Sequence, residues 1–337
     1  MALFDSFHEL NDSRTRSGRR RFLFGAAGAA GAYLGYRWWR DRPRPVAQRK
    51  TAFVTPNENF YTVALDAGFR PAVARDDWRL EVSGPTGRFA LSYDELLQLE
   101  RRRVYQTFMC VGNEVGGPAA GNAEWTATPL APLLARVLDE RREGLRAAFY
   151  ALDGFYSSVP LAAALSAQAF IAYEMNGVPL PVAHGFPARV LLPGVYGMKQ
   201  PRWLEKIEIT ARGVSGYWEK RGWCGVCDVR MTARIDAATA EADGNWLVTG
   251  MAYCGAQAVG LVEVSFDDGA TWRAATFTSE RWPDAWATWE YAWRPARNGA
   301  HTLTARVLDS AGAGQSESSS SNFPAGATGL HRVTVKV

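Results

Sequence analysis

Four cysteines are the chain's scarcest nucleophiles. Cys110 ends the apolar run Gln106-Thr107-Phe108-Met109 and precedes Val111-Gly112-Asn113. A thiolate there is a soft transition-metal ligand, although a cysteine after an apolar run is equally at home in a core. Between 184 and 202 stand four donor or cationic side chains, His184, Arg189, Lys199 and Arg202, on what reads as loop–strand–loop. Guanidinium forks match phosphate geometry. Cys224-Gly225-Val226-Cys227 is a C-x-x-C, but Asp228 replaces the histidine that c-type haem attachment needs. Zinc needs four ligands and no second pair follows. In an oxidising compartment a disulfide is expected. A Cys224–Cys227 bridge and a bridge through Cys254 both remain open.

These residues need positioning elements. The 337 residues are 47% hydrophobic and 21% charged, a globular composition of about two domains. Thirteen Trp and twelve Tyr point to an aromatic-rich core whose rings also line a pocket or interface. The net charge of +4 is uneven, because residues 1–50 alone carry eleven Lys/Arg against four Asp/Glu. The remainder is slightly acidic, which excludes the basic face that a nucleic acid requires. Arg19-Arg20-Arg21-Phe22-Leu23, then a Gly/Ala-rich uncharged run to Tyr36, reads as a twin-arginine export leader, either cleaved or kept as an anchor. The run is short for a membrane span. That route exports folded proteins, so the leader is indirect evidence for a cofactor and for a periplasmic destination. Residues 40–49 read as a Pro/Arg-rich linker.

From 51 to 228 the patterns are mixed α+β. Strands are expected around Trp78–Val82, Ala147–Leu152 and Ala188–Leu192. A helix start is expected at Ser92-Tyr93-Asp94-Glu95 and a helix over Pro129–Leu138. No GxGxxG follows a strand, so a dinucleotide fold has little support. From 229 to 337 short alternating runs separated by turn residues predict an all-β, immunoglobulin-like sandwich. Asp267-Asp268-Gly269 marks a tight hairpin and 311–327 a long loop.

Three segments, in order, resemble the sulfite oxidase family of molybdopterin-dependent oxidoreductases. The first is Cys110-Val111-Gly112-Asn113 with Gly121-Asn122-Ala123-Glu124-Trp125. The second is Ala172-Tyr173-Glu174-Met175-Asn176-Gly177 with His184-Gly185-Phe186-Pro187-Ala188-Arg189. The third is Pro193-Gly194-Val195-Tyr196-Gly197 with Lys199 and Arg202-Trp203-Leu204. Thr55-Pro56-Asn57-Glu58-Asn59-Phe60-Tyr61 is similar to the family's opening motif. The resemblance implies that Cys110 is the protein ligand to molybdenum. It implies that Asn57, Phe60, Tyr61, Asn113, His184, Arg189, Lys199 and Arg202 hold the molybdopterin cofactor. It also implies that the C-terminal part supports a homodimer.

The family's sulfite-binding pattern is altered here. Glu114 and Val115 stand where an arginine follows the cysteine, and Phe60-Tyr61-Thr62-Val63 replaces Phe-Phe-Val-Arg. Gly255-Ala256-Gln257 replaces Gly-Gly-Arg, and Trp223 takes the place of a tyrosine near the metal. Trp223 and Gln257 are therefore catalytic-site candidates, with Cys224 and Cys254 at the pocket mouth. A dianion needs cationic donors in a desolvated pocket. The expected substrate is accordingly less anionic than sulfite, such as an organic S-oxide. Electrons would pass to or from an external cytochrome or membrane haem protein. The alternatives are a sulfite dehydrogenase and a non-catalytic binding protein that kept the fold.

Overall fold

The computed structural model describes residues 42–49, 51–66, 68–71 and 73–337; the expected leader falls outside these residues up to position 41. Among the described residues, no helix is long and apolar enough to cross a membrane. The fold is mostly β. The helices expected in the first half are short, and the strands are nearly all where the alternating patterns put them.

The first half holds two sheets. Strands β1 (Arg79–Gly84) and β2 (Gly87–Ser92) form a hairpin that feeds helix α1 (Tyr93–Leu97). Ser92 caps α1 in a full capping box with Glu95, which satisfies two otherwise orphaned donors. Strands β3 (Arg102–Met109) and β4 (Ala120–Pro129) lead into helix α2 (Leu130–Ala135). Then come β5 (Arg146–Ala151), β6 (Tyr156–Pro160), helix α3 (Leu161–Ala164) and β7 (Phe170–Met175). Strands β8 (Arg189–Leu191) and β9 (Leu204–Thr210) complete this half. One sheet runs in the order β8-β7-β4-β3 and the other β2-β1-β9-β5-β6, with β9 and β1 parallel. Both sheets contribute to one apolar core around Trp78, Leu80, Phe149, Tyr173 and Ile207. The Trp78 indole N–H, fully buried, is satisfied by the Leu204 carbonyl at 3.0 Å.

The second half holds β10 (Thr232–Ala240), β11 (Trp246–Tyr253), β12 (Val259–Ser265), β13 (Ala287–Trp293), β14 (Ala300–Asp309) and β15 (His331–Lys336). One sheet contains β10-β11-β13 and the other β15-β14-β12, all antiparallel. Alternate residues of both bury a common core that includes Ile235, Val264, Trp289 and Val307. The expected hairpin is present: Asp268 and Gly269 take positive φ, and the Asp267 carboxylate accepts from the Thr271 N–H and hydroxyl.

A third apolar cluster joins the halves: Met109, Val111 and Met198 pack with Met251, Tyr253 and Trp286. Polar bonds reinforce the joint. Thr107 N–H donates to the Asp284 carbonyl at 2.7 Å, and the Trp286 N–H donates to the Thr107 hydroxyl at 2.8 Å. Gly194 N–H donates to the Asp284 carboxylate at 2.8 Å. Thus the end of β3, where Cys110 sits, is clamped from the second half.

Candidate active site

Cys110 lies at the foot of β3, where the chain leaves the sheet in a turn closed by Asn113 N–H on the Cys110 carbonyl at 3.0 Å. The thiol is half-buried and unbridged. Burial raises its pKa, and the Gly112 N–H, which donates to the sulfur, opposes the rise. A desolvated thiol of this kind loses its proton when a metal cation binds it. The turn continues into residues held from the second half. Arg49 donates to the Gly116 carbonyl at 2.7 Å, Arg234 to the Gly117 carbonyl at 2.8 Å, and Asn322 to the Gly112 carbonyl at 2.7 Å. Gly116, at φ +76°, backs directly onto the His331 ring. None of Arg49, Arg234 or Asn322 carries a local sequence signal, because each partner is remote in the chain.

Cys110 opens into a cavity with about 970 Å³ of free space, including its open mouth. Six other expected residues reach it: Phe60, Tyr61, His184, Arg189, Arg202 and Trp223. Phe60 stacks on Tyr61, with ring centroids 5.8 Å apart. Burial, then the neighbouring Cys110, raises the Tyr61 pKa far above that of a free phenol. His184 Nε2 lies 2.7 Å from the Asn57 carbonyl, so it carries the proton and leaves Nδ1 as acceptor. Burial lowers the His184 pKa; the hydrogen bond to the Asn57 carbonyl opposes the shift, and Arg189 and Arg202 add to the lowering. The histidine is therefore held neutral.

Arg189 is the most telling side chain. It is buried, its guanidinium lies 4.0 Å over the Phe108 ring, and one terminal nitrogen donates to the His184 carbonyl at 3.0 Å. Its Nε is buried with no partner. Burial, then Arg202, brings its pKa down to about 9. An uncompensated guanidinium is costly to bury. Its orphaned donor marks where an anionic or acceptor-rich ligand belongs. Arg202 spans the Ala183 carbonyl at 2.5 Å and the Val63 carbonyl at 2.9 Å. Asp153, which the sequence reading did not single out, shares the cavity and offsets part of the burial effect on Arg202. Asp153 follows a buried strand in a turn, a position with no chemical signature of its own.

Four expected residues do not line this cavity. Asn57 stands behind His184 and accepts from the Asn176 side chain at 2.8 Å. Asn113 closes the Cys110 loop by accepting the Ala119 N–H at 2.9 Å. Lys199 turns the other way: its Nζ pairs with Glu219 and donates to the Ser158 carbonyl at 3.2 Å. The two side chains are 2% and 9% exposed, so the lysine's charge is already matched by the protein. Gln257 is exposed and outside the cavity lining, its N–H 3.4 Å from the Cys254 carbonyl.

Much of the remaining lining is apolar. Of the positions where the sulfite-binding pattern would carry an arginine or the tyrosine, Val63 and Trp223 face the cavity; Glu114, Val115 and Gln257 do not line it. Trp218, Met198, Ala64 and Leu65 add to the apolar lining. Among the described residues, Arg189 and Arg202 are the only arginine or lysine side chains that line the cavity. Cys224 and Cys227 are bridged; Cys254 is free and buried, its pKa pushed up to about 12 by burial.

These residues fit a thiolate-bound, anionic metal cofactor: a desolvated sulfur with a backbone donor, an unsatisfied guanidinium, a second arginine and stacked rings. Residues 67–218 match the model of the oxidoreductase molybdopterin binding domain, and residues 222–337 that of the Mo-co oxidoreductase dimerisation domain. Mitochondrial sulfite oxidase of Rattus norvegicus is 30% identical over 310 residues, 77% of this chain and 56% of that one. Sulfite oxidase of Gallus gallus is 31% identical over 291 residues, 71% of this chain and 62% of that one. The chain thus spans little more than half the length of the curated relatives it matches. A putative protein-methionine-sulfoxide reductase subunit, YedZ1 of Azospira oryzae, is 31% identical over 150 residues, 43% of this chain and 54% of that one. Among solved structures, the sulfane dehydrogenase SoxCD of Paracoccus pantotrophus shares the fold, with a TM-score of 0.73 at 19% identity over 88% of this chain and 86% of that one. Motifs, fold and both matched domains agree that this chain belongs to the sulfite oxidase family of molybdopterin-dependent oxidoreductases.

Proposed function

We propose that the chain transfers an oxygen atom to or from a substrate less anionic than sulfite, and that an organic S-oxide is its substrate class. The carrying observation is the apolar wall at Val63 and Trp223, positions where a sulfite pocket would place a cation and a hydroxyl, with the Trp218 ring also lining the cavity. A sulfite dianion brought against that wall would lose its hydration without gaining donors. A neutral S-oxide loses far less, and its organic substituents bury apolar surface against the tryptophans.

The cofactor, when bound, supplies two-electron oxo-transfer chemistry. Cys110 gives it a thiolate, which the Gly112 N–H holds in place. Arg189, through its free Nε, and Arg202 hold its phosphate and pterin. The Phe60–Tyr61 pair flanks the pterin, and neutral His184 accepts a hydrogen bond at Nδ1. Reduction of an S-oxide consumes two electrons and two protons and releases water and a thioether. The electrons come from an external cytochrome or membrane haem protein. The second half pairs two copies of the chain through an immunoglobulin-like sandwich, and the leader directs the folded holoprotein to the periplasm.

A second reading, sulfite dehydrogenase, is favoured by the identity to the animal sulfite oxidases. Turnover by molybdenum-loaded protein separates the two. The proposal expects reduced viologen to be oxidised by methionine sulfoxide or dimethyl sulfoxide and little sulfite-dependent reduction of ferricyanide. Fast sulfite turnover with inert S-oxides would overturn it.

A further inference from the structure

The Cys224–Cys227 bridge follows directly on Trp223, which lines the Cys110 cavity, although neither cysteine lines it, and nothing in the reaction just described uses the bridge. The segment that carries this part of the wall runs from Trp218 to Cys227. At one end Glu219 is anchored by the buried Lys199. At the other, the Cys227 carbonyl accepts the Tyr196 N–H at 3.0 Å, and Val229 N–H donates to the Gly194 carbonyl at 2.8 Å. Trp218, just before the first anchor, and Trp223, between the two, face the cavity. The bridge ties Trp223's neighbour, Cys224, to the anchored Cys227.

Three observations set it apart from a structural staple. It links residues only three apart, and a loop that short adds least to stability on the chain-entropy argument. It is accessible from one side: Val226 is 70% exposed, Gly225 has nothing within 4 Å of where a Cβ would stand, and Cys224 is only half-buried. Cys227, by contrast, is buried. And it is linked to the site: Cys224 N–H donates to the Pro324 carbonyl at 3.0 Å, on the segment whose Asn322 holds the Cys110 turn through Gly112.

We propose that Cys224–Cys227 is a thiol–disulfide exchange site for a dithiol, and that its state sets the opening of the cavity at Trp223. An attacking thiolate forms a bond to Cys224 Sγ, the bridge breaks, and Cys227 leaves as a thiolate that takes up a proton. The dithiol's second sulfur then displaces Cys224 as a thiol. Two electrons and two protons reach the bridge, and the dithiol becomes a disulfide. Oxidised, the bridge holds Trp223 against the cavity; reduced, it lets the wall swing from its anchored ends. This rests on reading the cavity as the reaction chamber only for its consequence for turnover.

The test uses full-length, cofactor-free protein, oxidised or treated with dithiothreitol without denaturant, then with iodoacetamide, with each cysteine followed by peptide mass spectrometry. We expect Cys224 to be labelled first and Cys254 to stay unlabelled. Cys110 should be alkylated several-fold faster after reduction than before. The double variant Cys224→Ser/Cys227→Ser should match the reduced wild type without any reductant. A bridge that resists dithiothreitol until denaturant is added would overturn the exchange site. Equal Cys110 rates in oxidised and reduced wild type would overturn the gate. Both comparisons stand if the variant fails to fold, and neither depends on the substrate.

Discussion

Lys199 and Arg189 stand ten positions apart, face different ways and have opposite charge balances. Lys199 is buried and matched by Glu219; Arg189 is buried and left with a free Nε. Removing one partner of a buried pair leaves the other uncompensated, at about 3–5 kcal/mol. Lys199→Met should therefore lower the urea midpoint of cofactor-free protein sharply, and Lys199→Met with Glu219→Leu should recover most of the loss. If Lys199 instead served the cofactor, the single variant would load poorly while unfolding normally. The residue types that could bind an anion were legible in the sequence. Which of them the protein had already neutralised was not, because Glu219 gives no local sign that it folds back on Lys199.

At the scale of elements, the Cys110 turn is short of its own support and borrows it. Its carbonyls are held by Arg49, Arg234 and Asn322, and Gly116 leaves room for His331. A Cβ at position 116 would stand 2.2 Å from that ring, on a backbone with φ +76°. Gly116→Ala should cost about 2–4 kcal/mol from strain and overpacking together, read as a fall in denaturant midpoint. Alkylation of Cys110 should change with it; an unchanged midpoint would mean that the turn is not clamped. The strands and the α1 cap were readable because alternation and the Ser92–Glu95 pair are local signals. The clamp was not, since it joins residues more than sixty positions apart. The helices came out shorter than the apolar runs suggested, as sheet pairing took up most of the first half.

For the molecule as a whole, the two halves meet over a buried acid. Asp284 has its pKa raised from 3.8 to about 7 by burial, against the pull of the Gly194 N–H. Its folded pKa lies above the unfolded one, so between these values the folded state holds the extra proton. This group's contribution to stability is therefore full below about pH 4, falls as pH rises toward 7 and stays low above it. Asp284→Asn keeps a carbonyl acceptor and removes the titration. The thermal midpoint of the wild type relative to this variant should decline from pH 4.5 to 7.5; a constant difference would place the acid's proton elsewhere. Two consecutive halves could be read from the change of texture near 229. Their contact through Thr107, Asp284 and Trp286 could not, because these positions look like ordinary strand and turn residues.

The central claim is that Cys110 supplies the protein's sulfur to the metal, and X-ray absorption at the molybdenum edge tests it most directly. Compared with the wild type, Cys110→Ser loaded with cofactor should lose one sulfur from the metal's inner shell, while the sulfurs carried by the cofactor remain. The same sulfur count in both proteins would contradict the account.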